Sequence, residues 1–343
     1  MYKIFYILLM TGLFCSCSNS SHKSEIYQTN RNNILNVHDR VKEIHIDDVL
    51  IGSVARVFSL NNYLIIGDYK SYDKLIHLFD KQNFKYISSV GSMGEGPGEI
   101  ANMGYIGVNS GKNEFYVSDH GKQKVFSYNV DSLIVDSLYT PKIKAEMNQS
   151  QFPSSYTYIN DTLSVSIIIN PTGTSGFNQS VARWNMSDGK IDLMHYEHPQ
   201  IEKKRVVVDA SMKYNMYVEG YEYHDLMTLC DMDGNLICNI YGKDWDNRQT
   251  NKTSFYRQIS FYKDKIIALY SGDNTFSTDK MKGMVVKHPT KFLVFSTQGE
   301  YLKTLETGYN VTNFCCDEEN GRLVMNFDDD IQFGYIDLDE ILE

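Results

Sequence analysis

Acidic side chains recur where short apolar runs of the chain end, and carboxylate oxygens are the ligands that hard cations prefer. Asp68 and Asp119 each close such a run, and Asp328, Asp329 and Asp330 follow a third. Two interpretations stay open. Each Asp side chain accepts hydrogen bonds from the turn that follows it, or the carboxylates are cation ligands at the mouth of a channel. Because calcium needs about six to eight oxygen ligands and the chain has no EF-hand spacing, we predict no metal site.

Other groups resemble catalytic motifs but lack the partners that the chemistry needs. The glycine run Gly91–Gly98 has no Lys-Ser/Thr ending for a phosphate loop, and a connection that requires positive φ explains it better. His195 and His198 are three residues apart and would diverge on a strand. Ser71 and Lys74 have Ser-x-x-Lys spacing, but on a predicted turn. The sequence therefore indicates no catalytic constellation and no cofactor.

The composition is typical of a globular domain rich in β-structure. The 343 residues are 42% hydrophobic, and the 25 Tyr and 17 Phe residues suit the pleated surface of sheets. The net charge is −10, and phosphate recognition needs Lys and Arg, so a nucleic-acid partner is disfavoured.

The N-terminus predicts export. Lys3 precedes the apolar run Ile4–Phe14, which has the length of a signal-peptide core and is shorter than the roughly 20 residues of a membrane span. Cys17 follows this run after Ser16, and the pattern resembles the lipobox of bacterial lipoproteins. The resemblance implies a signal peptide over 1–16, a lipid on Cys17, and a flexible tether over 17–40. An ordinary cleaved signal peptide remains the alternative.

The compartment follows from the same resemblance. Ser18 after the cysteine implies the outer membrane, and no acidic run follows Cys17, which favours the periplasmic side over the surface. The later cysteines have no CxxC spacing. Cys230 and Cys238 flank a predicted hairpin turn, so either a disulfide or two buried thiols is open, and buried thiols are the simpler interpretation.

One pattern recurs roughly every 50 residues, the range expected for propeller blades. A turn dipeptide and a variable residue precede a large apolar residue that begins a strand. These apolar anchors are Leu64, Phe115, Leu163, Met216, Ile266 and Leu323. A strand is predicted before each anchor, and a third strand and an Asp/Asn/Gly turn after it. A fourth strand follows in five units, and in the second of these it is predicted at Ile134–Leu138.

The last unit lacks a fourth strand, and Lys42–Asp47 alternates like a half-buried strand. Pairing this segment with Phe333–Ile336 would close the ring and remove a free sheet edge. We therefore predict an all-β domain over 41–343: a six-bladed β-propeller of four-stranded antiparallel blades closed by an N-terminal strand. Rings of five or seven blades are the main alternatives, because the third and fifth units are the least regular.

A family resemblance supports this fold. The segment Val90–Ile100 contains Gly-Pro-Gly-Glu and resembles a connection of TolB-like six-bladed propeller lipoproteins. Phe115–Asp119 followed by Lys124–Tyr128 resembles the repeat of such propellers and of the related NHL group. The resemblance implies the fold and the compartment rather than a reaction.

Two classes of function remain open. A lipid-anchored binding module for an envelope protein, peptide or glycan is favoured. The alternative is a propeller hydrolase or lyase, either dependent on a bound cation or not. Long loops on a rigid scaffold usually hold the functional residues. The residues expected on that face are Arg56, Asp68, Tyr69, Lys70, Asp119, His120, Glu219, Tyr221, His224, Trp245 and Arg257.

The export signal gives the first testable prediction. Replacing Cys17 with Ala removes the acceptor thiol, so the variant should leave the membrane fraction, whereas Cys15→Ala should stay in it. Intact-mass measurement of the membrane-extracted wild type should show an acylated N-terminal cysteine. Membrane association of the Cys17→Ala chain would contradict the prediction.

Overall fold

The computed structural model describes residues 24–342, except for 174–175, 249 and 280–282. The predicted signal peptide 1–16 and the predicted lipid acceptor Cys17 lie outside the described residues. Six antiparallel blade sheets with four core strands each form the described structure, and a two-stranded hairpin makes a seventh, small sheet. The prediction of an all-β, six-bladed propeller is confirmed.

The strands follow one another blade by blade. Three short N-terminal strands come first: β1 (Glu25–Gln28), β2 (Ile34–Asn36) and β3 (Lys42–Glu43). Blade 1 contains β4 (Ala55–Leu60), β5 (Tyr63–Asp68), β6 (Lys74–Asp80) and β7 (Tyr86–Ser92). Blade 2 contains β8 (Met103–Asn109), β9 (Glu114–Asp119), β10 (Lys124–Asn129) and β11 (Lys142–Glu146). Blade 3 contains β12 (Phe152–Asn160), β13 (Leu163–Pro171), β14 (Phe177–Trp184) and β15 (Ile191–Leu193).

The second half repeats this arrangement. Blade 4 contains β16 (Val206–Ser211), β17 (Met216–Tyr221), β18 (Leu226–Asp231) and β19 (Leu236–Gly242). Blade 5 contains β20 (Thr253–Tyr262), β21 (Lys265–Asn274), β24 (Lys291–Ser296) and β25 (Tyr301–Glu306), with the hairpin β22 (Phe276–Asp279) and β23 (Gly283–Val286) inserted between its second and third strands. Blade 6 contains β26 (Val311–Asp317), β27 (Arg322–Phe327) and β28 (Phe333–Asp337). The helices are α1 (Val130–Val135), α2 (Leu338–Leu342) and two 3-10 turns, His38–Arg40 and Ser110–Lys112.

The first strands of the blades surround a central channel. Each contacts the first strand of the next blade, in the order β4, β8, β12, β16, β20, β26 and back to β4. The apolar core is divided among the blade interfaces. For example, Leu60, Leu78 and Phe115 pack between blades 1 and 2, and Phe292, Phe314 and Met325 pack between blades 5 and 6. Both faces of each sheet are therefore buried against a neighbour.

The recurring turn dipeptide has a conformational cause. Five of the turns that lead into the second strands contain a residue with positive φ: Asn61, Asn113, Asn215, Lys263 and Gly321. Asn and Gly adopt this left-handed conformation most readily, so they repeat at this point of the sequence. The turn that precedes Leu163 in blade 3 lacks such a residue.

The predicted ring closure is confirmed over a short ladder. β3 pairs antiparallel with β28, with Glu43 opposite Gly334 and Lys42 opposite Tyr335. The amide of Ile44 extends the pairing by donating to the carbonyl of Phe333 at 2.9 Å. Blade 6 thus takes its outer strand from the beginning of the described chain.

The predicted tether over 17–40 is wrong for its described part. β1 pairs in parallel with β19 on the outer edge of blade 4, and β2 pairs in parallel with β25 on blade 5. These outer edges have free backbone N–H and C=O groups, which bind the polar N-terminal segment (residues 24–36) although it lacks apolar periodicity. The ordered domain therefore begins at least as early as residue 24.

Arg31 fixes the N-terminal segment between blades 4 and 5. Its Nη1 lies 2.9 Å from Asp225 Oδ1, and both side chains are almost completely buried. Its Nη2 donates to the Tyr256 hydroxyl at 3.3 Å. The guanidinium also lies over the rings of Tyr270 and Phe295, at 5.4 and 5.8 Å from their centroids. The charge is thus paired and enclosed by aromatic rings.

The fourth strand of blade 2 does not lie at Ile134–Leu138 as predicted. Val130–Val135 is helical, because the Asn129 side chain accepts from the Ser132 amide and caps the first turn. The strand instead forms at Lys142–Glu146. Val135 and Leu138, which the pattern placed in the sheet, are exposed.

Removing Arg31 tests the N-terminal segment. Arg31→Ala leaves Asp225 buried without its partner, so we expect the free energy of unfolding to fall by about 3–5 kcal/mol. Arg40→Ala is the matched control, since Arg40 is exposed and should change stability by less than about 0.5 kcal/mol. Denaturant unfolding of both variants measures the difference. Equal stabilities would show that Arg31 does not hold the segment on the ring.

Candidate functional site

The channel contains a cavity with a volume of about 670 Å³. The connections between second and third strands, and those between successive blades, emerge on one face of the ring, which we call the upper face. The opposite face is the lower face. Arg56, Arg257 and His288 line the cavity toward this face, and Lys81, Glu318 and Glu319 line it toward the lower face. The two ends of the channel therefore differ in charge.

A polar seam across blade 6 fixes two of these residues at one level. The Asn313 side chain accepts from the Val57 amide at 2.6 Å and donates to Gln258 Oε1 at 2.8 Å. Gln258 in turn donates to the Phe314 carbonyl at 2.6 Å. Val57 follows Arg56, and Gln258 follows Arg257, so the seam places both arginines at the same height on either side of blade 6.

A second seam joins blades 3, 4 and 5 through Asp209. Its carboxylate accepts from Thr157 Oγ1 at 2.7 Å, from the Phe261 amide at 2.8 Å and from Ser260 Oγ at 3.2 Å. Burial nevertheless raises the pKa of Asp209, because the hydrogen bonds offset the loss of solvent only in part. Asp209 is therefore part of the channel wall and already has its hydrogen-bond donors.

The upper mouth, defined by Arg56, Arg257 and His288, offers cationic groups. Arg56 is exposed, and its guanidinium lies 5.1 Å from the centroid of the Tyr69 ring. Among the described residues no carboxylate lies within ion-pair distance of Arg56. Arg257 forms an ion pair with Glu222, and His288 Nε2 lies 3.7 Å from Asp328 Oδ2. Arg56 is thus the mouth residue most available to an anionic group.

The predicted site residues differ in their exposure to solvent. Arg56 and Lys70 are exposed, and Tyr69, His120, Trp245 and Arg257 are half-buried. The remaining five are buried: Asp68, Asp119, Glu219, Tyr221 and His224. Only Arg56 and Arg257 of the predicted set line the channel cavity.

Asp68 and Asp119 stabilise turns and are not available as ligands. Asp68 accepts from the amides of Gly52 at 2.8 Å and Lys70 at 3.1 Å. Asp119 accepts from the Ala101 amide at 2.9 Å and from three further backbone amides. The turn interpretation therefore replaces the cation-ligand interpretation. His120, beside Asp119, packs against the ring of Phe152 at 5.3 Å.

Glu219 and Tyr221 belong to a buried polar network in blade 4. Lys204 Nζ lies 2.8 Å from Glu219 Oε1, and the Tyr221 hydroxyl donates to Glu219 Oε2 at 3.1 Å. Burial raises the pKa of Glu219, and the adjacent Lys204 ammonium opposes this shift. Sequence spacing placed Glu219 on the upper face but could not show that a lysine from the preceding connection covers it.

His224 and Trp245 belong to an aromatic cluster beside that network. Trp245 lies 5.4 Å from the ring of His198 and 4.9 Å from the ring of Tyr241. His198 Nε2 lies 3.1 Å from the Tyr241 hydroxyl. Burial, together with positive charge on His224 and Lys204, lowers the pKa of His198 to about 4. The His198 side chain is therefore a neutral part of the folded core at neutral pH.

Sequence reasoning missed the channel residues His288, Asp209, Gln258 and Asn313. The last three are polar side chains inside first strands, where an apolar residue is the usual occupant. That interruption of the apolar pattern was the available signal, but its meaning depends on which strand faces the channel. His288 precedes β24 by three positions and had no local signal.

The glycine run forms a connection between blades 1 and 2, as predicted. Gly91 and Gly98 have positive φ, at 72° and 76°. Glu99 Oε2 accepts from the Gly96 amide at 2.7 Å, and Lys122 Nζ donates to the carbonyls of Gly96 and Glu99 at 2.8 Å. A Cβ on Gly94 would stand 2.1 Å from Glu99 Oε2. Glycine at positions 94 and 98 therefore allows the chain to form a compact loop around Glu99.

Within the residues that the structure describes, no group of three or more His, Cys, Asp or Glu side chains is placed to hold a metal ion. None of the described helices has the length and apolar character needed to cross a bilayer. The four described cysteines are free, and burial raises the thiol pKa of Cys230 to about 12 and that of Cys238 to about 11.

The pKa of His198 gives a testable pH dependence. The folded-state pKa is about 4 and the ordinary value is 6.5, so the unfolded chain binds more protons between these pH values. Stability should therefore be full above about pH 6.5 and should fall toward pH 4, by at most about 3 kcal/mol from this group. His198→Gln should flatten the pH profile of the unfolding free energy over this range.

His195→Gln is the matched control, because His195 is exposed and only three residues away. Its pH profile should follow that of the wild type. A His198→Gln profile parallel to the wild type would show that His198 does not contribute this dependence.

The comparisons with known proteins agree with the architecture. Residues 21–161 match the DUF5128 family, a 6-bladed beta-propeller. This part of the chain includes blades 1 and 2 and β12. No curated protein sequence matches the chain significantly.

Three solved structures share the fold at low sequence identity. A DUF4221 family member from Bacteroides vulgatus has a TM-score of 0.57 and 12% identity, and the match covers 87% of this chain and 98% of that chain. A candidate exported protein of Bacteroides fragilis has a TM-score of 0.54 and 12% identity, over 89% and 88% of the two chains. Hydrazine synthase of Kuenenia stuttgartiensis has a TM-score of 0.51 and 10% identity, over 87% and 81%. Such identities show the fold alone.

The resemblance to TolB-like lipoproteins is not tested by these matches and stays a prediction. The chain is a six-bladed β-propeller that is similar over residues 21–161 to the DUF5128 propellers and in its fold to propeller proteins of Bacteroides.

Proposed function

We propose that this chain is an exported, lipid-anchored binding module of the cell envelope, and that its ligand docks at the upper mouth of the channel. The observation that carries the proposal is the mouth itself. An exposed Arg56, free of any carboxylate partner in the described part of the chain, stands at the same height as Arg257 beside an open cavity of about 670 Å³. Such a concave site with few convergent polar groups suits ligand binding.

The rigidity of the mouth supports the same proposal. The Asn313–Gln258 seam holds the two first strands that bear the arginines, and the Tyr69 ring supports the Arg56 guanidinium. Binding loses less conformational entropy when the binding groups are held in place before the ligand arrives. A ring closed on all sides is a scaffold of this kind.

The export signal and the lipobox-like Cys17 support the envelope location, and the Bacteroides fragilis structure of the same fold is itself described as an exported protein. The proposed partners are the membrane, through the lipid, and an envelope protein, peptide or glycan at the mouth. Because the acidic residues near the mouth cap turns or pair with basic side chains, binding is better supported than cation-dependent hydrolysis or elimination.

Photo-crosslinking in cells tests the site. A diazirine amino acid at position 70, on the upper face, should capture a partner, and the same residue at position 188, in the exposed turn between the third and fourth strands of blade 3 on the lower face, should not. Adding Arg56→Gln to the position-70 probe should abolish the adduct, since the mouth loses its available charge. Identical adducts from both positions, or adducts that survive Arg56→Gln, would place the binding surface elsewhere.

A further inference from the structure

We infer that the ligand of the upper mouth is an acidic polypeptide segment whose apolar side chains pack on the rim of blade 1. The inference rests on the proposed function and adds the chemical class of the partner. Its basis is an exposed apolar surface next to Arg56, which we call the blade 1 rim. The rim residues and their exposed fractions are Leu50, 97%; Val54, 48%; Tyr72, 96%; and Met93, 51%.

Backbone contacts bring these residues together at one corner of the blade. The Tyr69 amide donates to the Val54 carbonyl at 3.0 Å, which joins the connection before β4 to the one after β5. The Met93 amide donates to the Asp73 carbonyl at 3.0 Å, so Met93 adjoins the loop that bears Tyr72. The Gly52 amide donates to Asp68, which holds the segment after Leu50 against the end of β5. Three separate connections therefore contribute to one surface.

Contiguous exposed apolar surface is uncommon on soluble domains and marks interaction sites. Elsewhere on the described chain, Val135 and Leu138 are exposed to 83% and 85%, but no channel or unpaired cation of the upper mouth adjoins them. The blade 1 rim differs because it continues into Arg56, only two residues beyond Val54.

Charged side chains are distributed unequally between the cavity side and the outer side of the blade 1 rim. Asp47, Asp48 and Asp73 are exposed in the same connections, but none of them lines the cavity. The cavity side instead has Arg56, Arg257 and His288. Glu222 and Asp328 partly neutralise the last two, and Arg56 has no such partner among the described residues. A ligand carboxylate is therefore drawn to the channel side, with apolar groups on the outer side.

A polypeptide fits this combination better than a glycan does. Three of the four rim side chains, Leu50, Val54 and Met93, can bury aliphatic or aromatic groups but are not flat stacking surfaces for a sugar, and Tyr72 is the one aromatic ring of the rim. Tyr, Met and Arg are the side chains enriched at protein interfaces. An acidic segment with apolar side chains supplies the opposite charge for Arg56 and the apolar surface for the rim.

Binding of labelled synthetic peptides tests the inference by fluorescence anisotropy, with the purified full chain in detergent. The first probe alternates Asp and Glu with Leu and Phe. In the second probe Asn and Gln replace the acids, in the third Ser replaces the apolar residues, and an oligogalacturonate serves as the acidic glycan. We expect the first probe to bind best, and its affinity to fall with salt as expected for a charge contact.

Matched variants separate the two parts of the surface. Leu50→Ser with Tyr72→Ser should weaken the first probe by about tenfold, whereas Val135→Ser with Leu138→Ser should leave it unchanged. Arg56→Gln should also weaken it by about tenfold and reduce its salt dependence, and Arg40→Gln should not. All four positions of the serine variants are exposed, so folding should be preserved, which thermal melting checks.

The outcomes distinguish this inference from the proposed function. The inference would be overturned if the first probe failed to bind or if the protein preferred the oligogalacturonate. It would also be overturned if Val135→Ser with Leu138→Ser reduced the affinity for the first probe as much as the rim substitutions do. If position-70 adducts still depend on Arg56 while the rim substitutions have no effect, the mouth binds a ligand of another class. If the adducts are also independent of Arg56, both the inference and the proposed function are wrong.

Discussion

Every blade is a sheet with two apolar faces, and only a closed ring buries both faces of every sheet. A strand such as β5 is buried along almost its whole length, because alternate residues face the interfaces with blades 6 and 2. An open row of blades would expose apolar surface at each end, and burial of such surface is the main favourable term in folding. Closure between blades 6 and 1 is therefore the constraint on which the other contacts depend.

The N-terminal part of the chain meets this constraint in two ways. β3 completes blade 6, so the closing sheet contains strands from both ends of the described chain. β1 and β2 cover the outer edges of blades 4 and 5, and Arg31 joins them by its buried pair with Asp225. The free sheet edges that all-β proteins must protect are covered here by residues that lie before the repeats. The same arrangement holds the chain that leads to the predicted lipid site against the side of the ring.

Polar groups inside the ring have two distinct uses. Asp209, Asn313 and Gln258 hydrogen-bond across blade interfaces, where an unpaired polar group would be costly. Lys204 and Glu219 likewise satisfy each other. Arg56 is different, since it keeps its charge at the edge of an open cavity. The distinction between satisfied and available polar groups separates the structural channel wall from the mouth where a ligand can bind.

The sequence by itself determined the fold class, and it predicted six blades and the strand that closes the ring. Turn residues such as Asn61 and Asn113 and anchors such as Leu64 and Phe115 act locally, so their period is visible without coordinates. Only the tertiary structure decided which polar residues are accessible and where the domain begins. Burial of Glu219 depends on Lys204 from another segment, and the N-terminal strands form only against the edges of blades 4 and 5. Accessibility and edge pairing are sums of contacts between distant parts of the chain, and a local pattern contains no information about them.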